Sequence, residues 1–433
     1  MTTTATRSAA LISLGCAKNL SDSEDLVTAL KSTGVGLTDD ISSASVVLVN
    51  TCGFIESAKQ ESIDHILSAA EDRAPGSLLV VAGCLTERYL DELKADIPEV
   101  DCWLPFNDYE RLPALIRSAF PDLPEHRLTH DQRSQLTPPH FSFLKIAEGC
   151  DNTCNFCAIP LFRGKHISRP EEELVEQARV LAARGVKEIN LISQHLDYYG
   201  KDRYGEYRLP QLLRQLSTAA PESWLRLHYC YPNDFSDDLI ATMAELPQVL
   251  PYVDMPIQHA SDRMLATMGR RTTRAHIEAR LDAIRRAMPE VVIRSTFIVG
   301  FPGERDEDHQ QLLDFLQCQR LDHAGCFTYS DEDGTTAAKM PKKVDSSLIQ
   351  QRHDSFMRTQ ADIVREDLPR RWMDQELDLL VDEQVDFDTF HCRHYGQASE
   401  VDNVTIVRDD GLQVGSLIRR HITGIQGYDL LAS

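Results

Sequence analysis

Phe141-Ser142-Phe143-Leu144-Lys145-Ile146-Ala147-Glu148-Gly149-Cys150-Asp151-Asn152-Thr153-Cys154-Asn155-Phe156-Cys157 joins a short apolar run to three cysteines in the spacing CxxxCxxC. Such a run, closed by a glycine, reads as a buried strand, so the cysteines occupy the loop at its C-terminal end. Thiolates are soft ligands that select iron–sulfur clusters, zinc or copper(I), and a loop this tight can wrap three of them around one inorganic centre. A structural zinc site closes with a fourth Cys or His, yet the nearest following candidate, His166, lies beyond Pro160 and Gly164 at no usual finger spacing. A cluster with one exchangeable iron is the leading reading, ahead of zinc and of chance core cysteines.

Downstream of that loop, strand patterns recur at 186–192, 224–229, 252–257, 291–299 and 324–329, each separated from the next by a helical pattern. With 141–147 they make six βα-type units, which predicts a partial (β/α) barrel with its chemistry at the C-terminal strand ends. The first helix carries Ser168 as an N-cap candidate, Pro170 near its first position, Glu171-Glu172-Glu173 at its positive end and Gly185 as terminator. Upstream, strand patterns at 9–14, 45–50, 77–82 and 100–105 alternate with amphipathic stretches and predict a parallel α/β domain. The polar, proline-bearing stretch 121–140 has the composition of a linker. After a helical stretch around 346–365 and Asp367-Leu368-Pro369, short strands at 377–381, 398–401, 404–407 and 416–425 suit a small β-barrel. The expected domains are 1–125, 136–368 and 371–433.

Composition narrows the function classes. The 433 residues are 42% hydrophobic and 26% charged, which suits a soluble chain with large cores, and no apolar run reaches the length of a membrane span. Lys+Arg 45 against Asp+Glu 67 leaves −22, a charge that disfavours a protein that simply coats nucleic acid. Residues 9–16 make a poor signal segment, since only Arg7 precedes them with positive charge and Lys18 and Asn19 follow directly, so a cytoplasmic location is expected. Eleven cysteines in a reducing compartment are then core residues, nucleophiles or metal ligands rather than a disulfide framework.

A second set of cysteines is spread over the first domain, in Ser13-Leu14-Gly15-Cys16, Val49-Asn50-Thr51-Cys52 and Val81-Ala82-Gly83-Cys84. Each follows an apolar strand, and in a parallel sheet such ends share one edge, where ligands converge. Three buried core cysteines are the bland alternative. Three equivalent placements in successive units favour a second cluster. Cys102, Cys230, Cys318, Cys326 and Cys392 share no spacing and read as structural.

The CxxxCxxC motif with an aromatic before its last cysteine, opening a run of βα units, resembles the radical S-adenosylmethionine (SAM) superfamily. The resemblance implies that Cys150, Cys154 and Cys157 hold a 4Fe-4S cluster whose open iron is chelated by SAM, which is cleaved to a 5′-deoxyadenosyl radical. Over nearly the whole chain the layout resembles the methylthiotransferases, with an N-terminal domain, a radical SAM domain and a C-terminal TRAM β-barrel. Asn50-Thr51-Cys52, Gly83-Cys84, Pro256-Ile257-Gln258-His259, Gly300-Phe301-Pro302-Gly303-Glu304, Tyr329-Ser330 with Gly334-Thr335, and Gly427-Tyr428-Asp429-Leu430 match that family in order. It implies an auxiliary 4Fe-4S cluster on Cys16, Cys52 and Cys84, and SAM in two roles, as methyl donor to cluster-held sulfur and as radical source. Glu188 at the start of the second strand and Gly303 in the 300–304 loop are the candidates for holding SAM. Gln194, His195, Gln258 and His259 follow strands and line the same mouth, but none is assigned a catalytic role beyond the cluster ligands.

Within that family, 144–150, 157–164 and 224–229 are similar to the branch that modifies an aspartate β-carbon in protein twelve (S12) of the small ribosomal subunit. The stretch 193–200 departs from it in lacking Asp-Thr after Gln194. The barrel offers an independent argument: residues 374–433 hold twelve Asp and Glu against four Arg, a charge that repels RNA phosphates and suits a strongly basic partner. The expected partners are ribosomal protein S12 or the subunit containing it and an electron donor, with no membrane. The rival readings are a transfer RNA adenosine methylthiotransferase and a non-catalytic iron–sulfur or RNA-binding protein.

Overall fold

The computed structural model describes residues 7–123 and 133–433, so 124–132 of the expected linker lie outside the described residues. The chain forms two compact units, Met1–Leu136 with Ala158–Lys165, and Thr137–Cys157 with His166–Ser433.

The first unit is built from β1 (Ser8–Ser13), α1 (Ala17–Lys31), β2 (Gly36–Leu37), β3 (Val46–Thr51), α2 (Glu56–Asp72), β4 (Leu78–Gly83), α3 (Cys84–Asp96), β5 (Cys102–Pro105) and α4 (Leu112–Ala119). Its five strands are parallel in the order β2-β1-β3-β4-β5. Every residue of β3 is buried, because helices cover both faces: Val46 and Leu48 pack with Leu26, Leu30 and Ile116, while Val47 and Val49 pack with Ile66, Leu85 and Leu93. The strand order reverses direction between β1 and β3, and a crevice opens at such a switch point beyond the C-terminal ends of the strands.

The second unit opens with β6 (Phe141–Lys145) and β7 (Ala147–Glu148). The short α5 (Ile159–Phe162) that follows in the chain belongs to the first unit. Then come β8 (Ile167–Ser168), α6 (Glu171–Ala183), β9 (Glu188–Ile192), α7 (Lys201–Tyr204), α8 (Leu209–Ala219), β10 (Trp224–Leu227), α9 (Asp237–Glu245), β11 (Val249–Asp254), α10 (Asp262–Thr267), α11 (Arg274–Ala287), β12 (Val292–Val299), α12 (Asp306–Gln319) and β13 (His323–Thr328). The six long strands pair in parallel and in chain order, β6-β9-β10-β11-β12-β13, as an open sheet. The partial barrel of six units is therefore present.

Helix α13 (Ser346–Trp372) leads into a closed barrel of β14 (Glu376–Asp386), β15 (Thr389–Arg393), β16 (Thr405–Arg408), β17 (Leu417–Gln426) and β18 (Asp429–Ala432), ordered β14-β15-β16-β18-β17. Its core of Leu379, Val381, Phe390, Cys392, Val407, Ile422 and Leu430 continues into Tyr252 and Val292 of the six-stranded sheet, so both lie in one unit.

Several local expectations are corrected. Residues 398–401 form no strand: Asp402 accepts the Ala398 N–H at 2.9 Å and Glu400 sits at φ 68°, which together curl the segment into a turn. The helix expected to end near 365 runs on to Trp372, with Pro369 in its last turn, where the ring forgoes one i→i−4 bond. Ser168 is not a cap; it lies in β8, its hydroxyl donates to Asp202 at 2.5 Å, and Pro170 occupies the N-cap position of α6.

Candidate metal centres

In the first unit the three strands that precede the cysteines are neighbours, β1 beside β3 and β3 beside β4, with Ser13 opposite Asn50 and Thr51 opposite Gly83. Cys52 and Cys84 thus leave the sheet edge at one level, and Cys16 follows one turn beyond β1 as the N-cap residue of α1. The surrounding motif residues fasten these ends together. Asn50 Nδ2 donates to Asn19 O at 2.9 Å and to Ser23 Oγ at 2.7 Å, Asn19 Nδ2 donates to Leu14 O at 2.5 Å, and Thr51 Oγ1 donates to Ala82 O at 2.6 Å. Gly15 is required by close approach: its φ is 94°, and a Cβ there would lie 2.8 Å from Cys52 Cβ and 3.0 Å from its Sγ.

Cys52 and Cys84 are buried and Cys16 is exposed. Burial pushes the Cys52 thiol up and the Cys84 thiol up to about 12, so their thiolates need a positive partner. Arg163, just past α5, supplies one: Nη2 donates to Cys84 Sγ at 2.9 Å and Nη1 to Asp22 Oδ2 at 2.6 Å. Arg163, Asn19 and Asp22 escaped the sequence reading. The available signal was the set of polar residues Asn19, Ser21, Asp22, Ser23 and Glu24, buried on α1.

In the second unit Cys150, Cys154 and Cys157 are partly buried in the loop after β7. Asn155 anchors that loop: its N–H and Nδ2 donate to Met268 O and Thr267 O, both at 2.8 Å, and its carbonyl accepts the Ala337 N–H at 2.8 Å. Gly269, at φ 74°, permits the approach, since a Cβ there would lie 2.7 Å from Thr153 O. Phe156 packs edge-on to Phe301 with ring centroids 6.4 Å apart, which brings the 300–304 loop beside the cysteines. The Asn152 N–H donates to Cys150 Sγ at 3.4 Å, and Arg270 Nη1 lies 3.7 Å from Cys154 Sγ with its guanidinium over the Tyr231 ring at 4.0 Å.

His195 sits next to this loop, its Nδ1 2.9 Å from Asn152 Nδ2 and its Nε2 3.2 Å from Asp197 and 3.1 Å from Asp234. Burial opposes its charge, but the two carboxylates outweigh that and hold the imidazole well above its usual range. His259 is fully buried and structural: Nδ1 accepts the Ala260 and Ser261 N–H groups and Nε2 lies 3.2 Å from Glu304 Oε1. Arg352 and the Gly300 N–H hold the other Glu304 oxygen, so the two motifs lock their loops to one another. Gln194 donates to Glu148 at 2.5 Å, and Gln258 at φ 77° bridges to Phe297. His166 is turned to Ser168 Oγ at 3.2 Å and meets the Tyr198 ring edge-on, and burial pushes it down to about 4.

The expectation for Glu188 is corrected. It pairs with Phe141 at the N-terminal edge of the sheet, the edge opposite the cysteine loop, and is fully buried. Burial alone would raise its carboxyl, but Arg226 at 2.5 Å and Arg393 at 2.6 Å hold it down to about 2. Both oxygens are taken, so Glu188 braces the sheet against the barrel. Gly303 lies beyond β12 at the C-terminal edge, at φ 81° with open space where a side chain would stand.

The fit to iron–sulfur centres is good on these observations: two trios of soft donors, each with a glycine that admits a close neighbour and a guanidinium beside one sulfur. Among the described residues no group of three or more His, Cys, Asp or Glu side chains is spaced to hold a single metal ion.

The comparisons agree with this layout. Residues 8–105 match the family described as "Uncharacterized protein family UPF0004", 144–316 the radical SAM superfamily and 375–433 the TRAM domain. The fold is shared at 15% identity with the radical SAM methyltransferase TsrM of Kitasatospora setae, with a TM-score of 0.57 and 77% of each chain covered. The chain is thus a three-part radical SAM protein. Two curated sequences resemble it along nearly their whole length, both named ribosomal protein uS12 methylthiotransferase RimO. That of Clostridioides difficile strain 630 is 39% identical over 98% of this chain and 97% of its own, and that of Symbiobacterium thermophilum is 40% identical over 97% and 89%. The chain belongs to the ribosomal protein uS12 methylthiotransferase RimO family.

Proposed function

We propose that the chain is the enzyme that places a methylthio group on the β-carbon of an aspartate in ribosomal protein uS12, in the cytoplasm. Cys150, Cys154 and Cys157 hold one 4Fe-4S cluster and Cys16, Cys52 and Cys84 a second. The observation that carries this reading is the pair of cysteine trios, one at the C-terminal edge of the five-stranded parallel sheet and one in the loop after β7, beyond the C-terminal end of β6 in the six-stranded parallel sheet. A 4Fe-4S cluster with an open iron supplies the one-electron cleavage of SAM that removes hydrogen from an unactivated carbon, a bond no acid–base group on this chain readily breaks.

The chain's own residues position and insulate. Arg270 puts positive charge beside Cys154, His195 stands between Asn152 and the carboxylates of Asp197 and Asp234, and Phe156 and Phe301 form an apolar wall beside the loop. The open space where a Gly303 side chain would stand supports the approach of SAM to that loop. A one-electron donor feeds the central cluster. The acidic barrel, with its twelve carboxylates, supports a basic ribosomal protein as partner over RNA. Among the described residues no helix is long and apolar enough to cross a membrane.

Product analysis tests this. The reconstituted enzyme is supplied with SAM, reductant, and either uS12 in its ribosomal subunit or transfer RNA. The reading expects the methylthio mass increment on uS12 alone; the increment on RNA nucleosides alone would transfer the chain to the rival RNA-modifying class.

A further inference from the structure

We infer that Arg163 is a positioning residue for the N-terminal cluster, its guanidinium holding Cys84 Sγ and raising that cluster's reduction potential. The inference rests on Cys16, Cys52 and Cys84 being ligands, as proposed above. Arg163 is buried on all sides. Its guanidinium carbon lies 4.3 Å from the Phe106 ring centroid, Asp22 pairs with Nη1 at 2.6 Å, and Nη2 faces Asn19 Oδ1 at 3.4 Å and Cys84 Sγ at 2.9 Å. The bond to Asp22 and the packing of Ala158 and Phe162 hold α5 to the unit; the donor aimed at sulfur is an additional feature. Phe162 and Ala158 pack on Cys84 from the same segment and exclude water there.

A guanidinium keeps its proton at every accessible pH, so this positive charge is permanent. In a side-chain environment only 2% exposed for Arg163 and 1% for Asp22, solvent screens it little. Cluster potentials respond to net charge, to hydrogen bonds on the sulfurs and to exposure. Adding one electron takes a 4Fe-4S core from 2+ to 1+, and a cation hydrogen-bonded to a ligand sulfur stabilises the more negative state. Asp22 offsets part of that charge, so the two residues act with opposite sign.

The test uses the full chain with Cys150, Cys154 and Cys157 all changed to Ala, leaving one cluster, titrated with a chemical reductant and followed by electron paramagnetic resonance. Arg163→Gln is expected to lower the midpoint, shifting the oxidised-to-reduced ratio at fixed poise about tenfold, equal to ~59 mV for one electron. Asp22→Asn keeps the guanidinium, and its midpoint is expected to rise; it decides the matter if Arg163→Gln takes up no iron. A purely structural role would change iron content and move neither midpoint, and that result overturns the inference. A parent chain that forms no cluster at all overturns instead the ligand assignment on which it rests.

Discussion

The two cysteine trios reach similar ends by opposite routes. Cys150, Cys154 and Cys157 lie within one loop, and the fold's task is to pin that loop, through Asn155 to Thr267, Met268 and Ala337. Cys16, Cys52 and Cys84 come from three separate turns, and it is the parallel pairing of β1, β3 and β4 that assembles them. A loop trio depends on local geometry, so its failure is local. A strand-end trio depends on the whole sheet edge, whose hydrogen bonds run through Asn19, Asn50 and Thr51.

The largest effect that sharpens this contrast is loss of a central cysteine. Cys154→Ala is expected to abolish formation of 5′-deoxyadenosine from SAM, read by chromatography, while about half of the iron, roughly four per chain, stays on the N-terminal trio. Next in size is Glu188→Gln. As a brace rather than a SAM ligand, Glu188 leaves two buried arginines short of a charge when neutralised. Denaturant unfolding is expected to show a loss of about 3–5 kcal/mol with SAM affinity in equilibrium binding unchanged. Its carboxyl is held at about 2 when folded, against about 4.3 in an unfolded chain. The stabilisation is therefore complete above about pH 4.3 and drains away as the pH falls toward 2, and the Gln variant should lack this part of the acid sensitivity.

Smaller and more selective effects come from the two close-approach glycines. Gly15→Ala forces a positive-φ alanine against Cys52, and Gly269→Ala does the same against Thr153 O. Each is expected to cost about 1–3 kcal/mol, with the first lowering iron retention on the N-terminal trio and the second on the central one. Spectra of each variant, taken with the opposite trio removed, check this; equal iron loss from both trios in either variant would erase the distinction.

This contrast also explains what was legible in the sequence. CxxxCxxC is visible because its cysteines are neighbours, and the six βα units are visible because buried parallel strands are apolar along their length. The strand-end trio was readable only through topology, as three equivalent placements. Arg163 was not: nothing local marks a residue after a four-residue helix as belonging with Cys84 and Asp22. Glu188 misled because a carboxylate at a strand start looks the same whether it meets a cofactor or two arginines from distant elements. In the barrel, β15 and β18 were missed because both are short and mix polar with apolar residues, whereas 398–401 had strand-like composition and a turn geometry set by Asp402.

The most direct measurement is the iron count of the chain with Cys16, Cys52 and Cys84 all changed to Ala, reconstituted without oxygen and assayed alongside SAM cleavage. Two centres with separate roles predict a fall from about eight irons to about four, SAM cleavage retained and uS12 left without its methylthio group. An undiminished eight irons, or unmodified uS12 becoming methylthiolated as before, would contradict it.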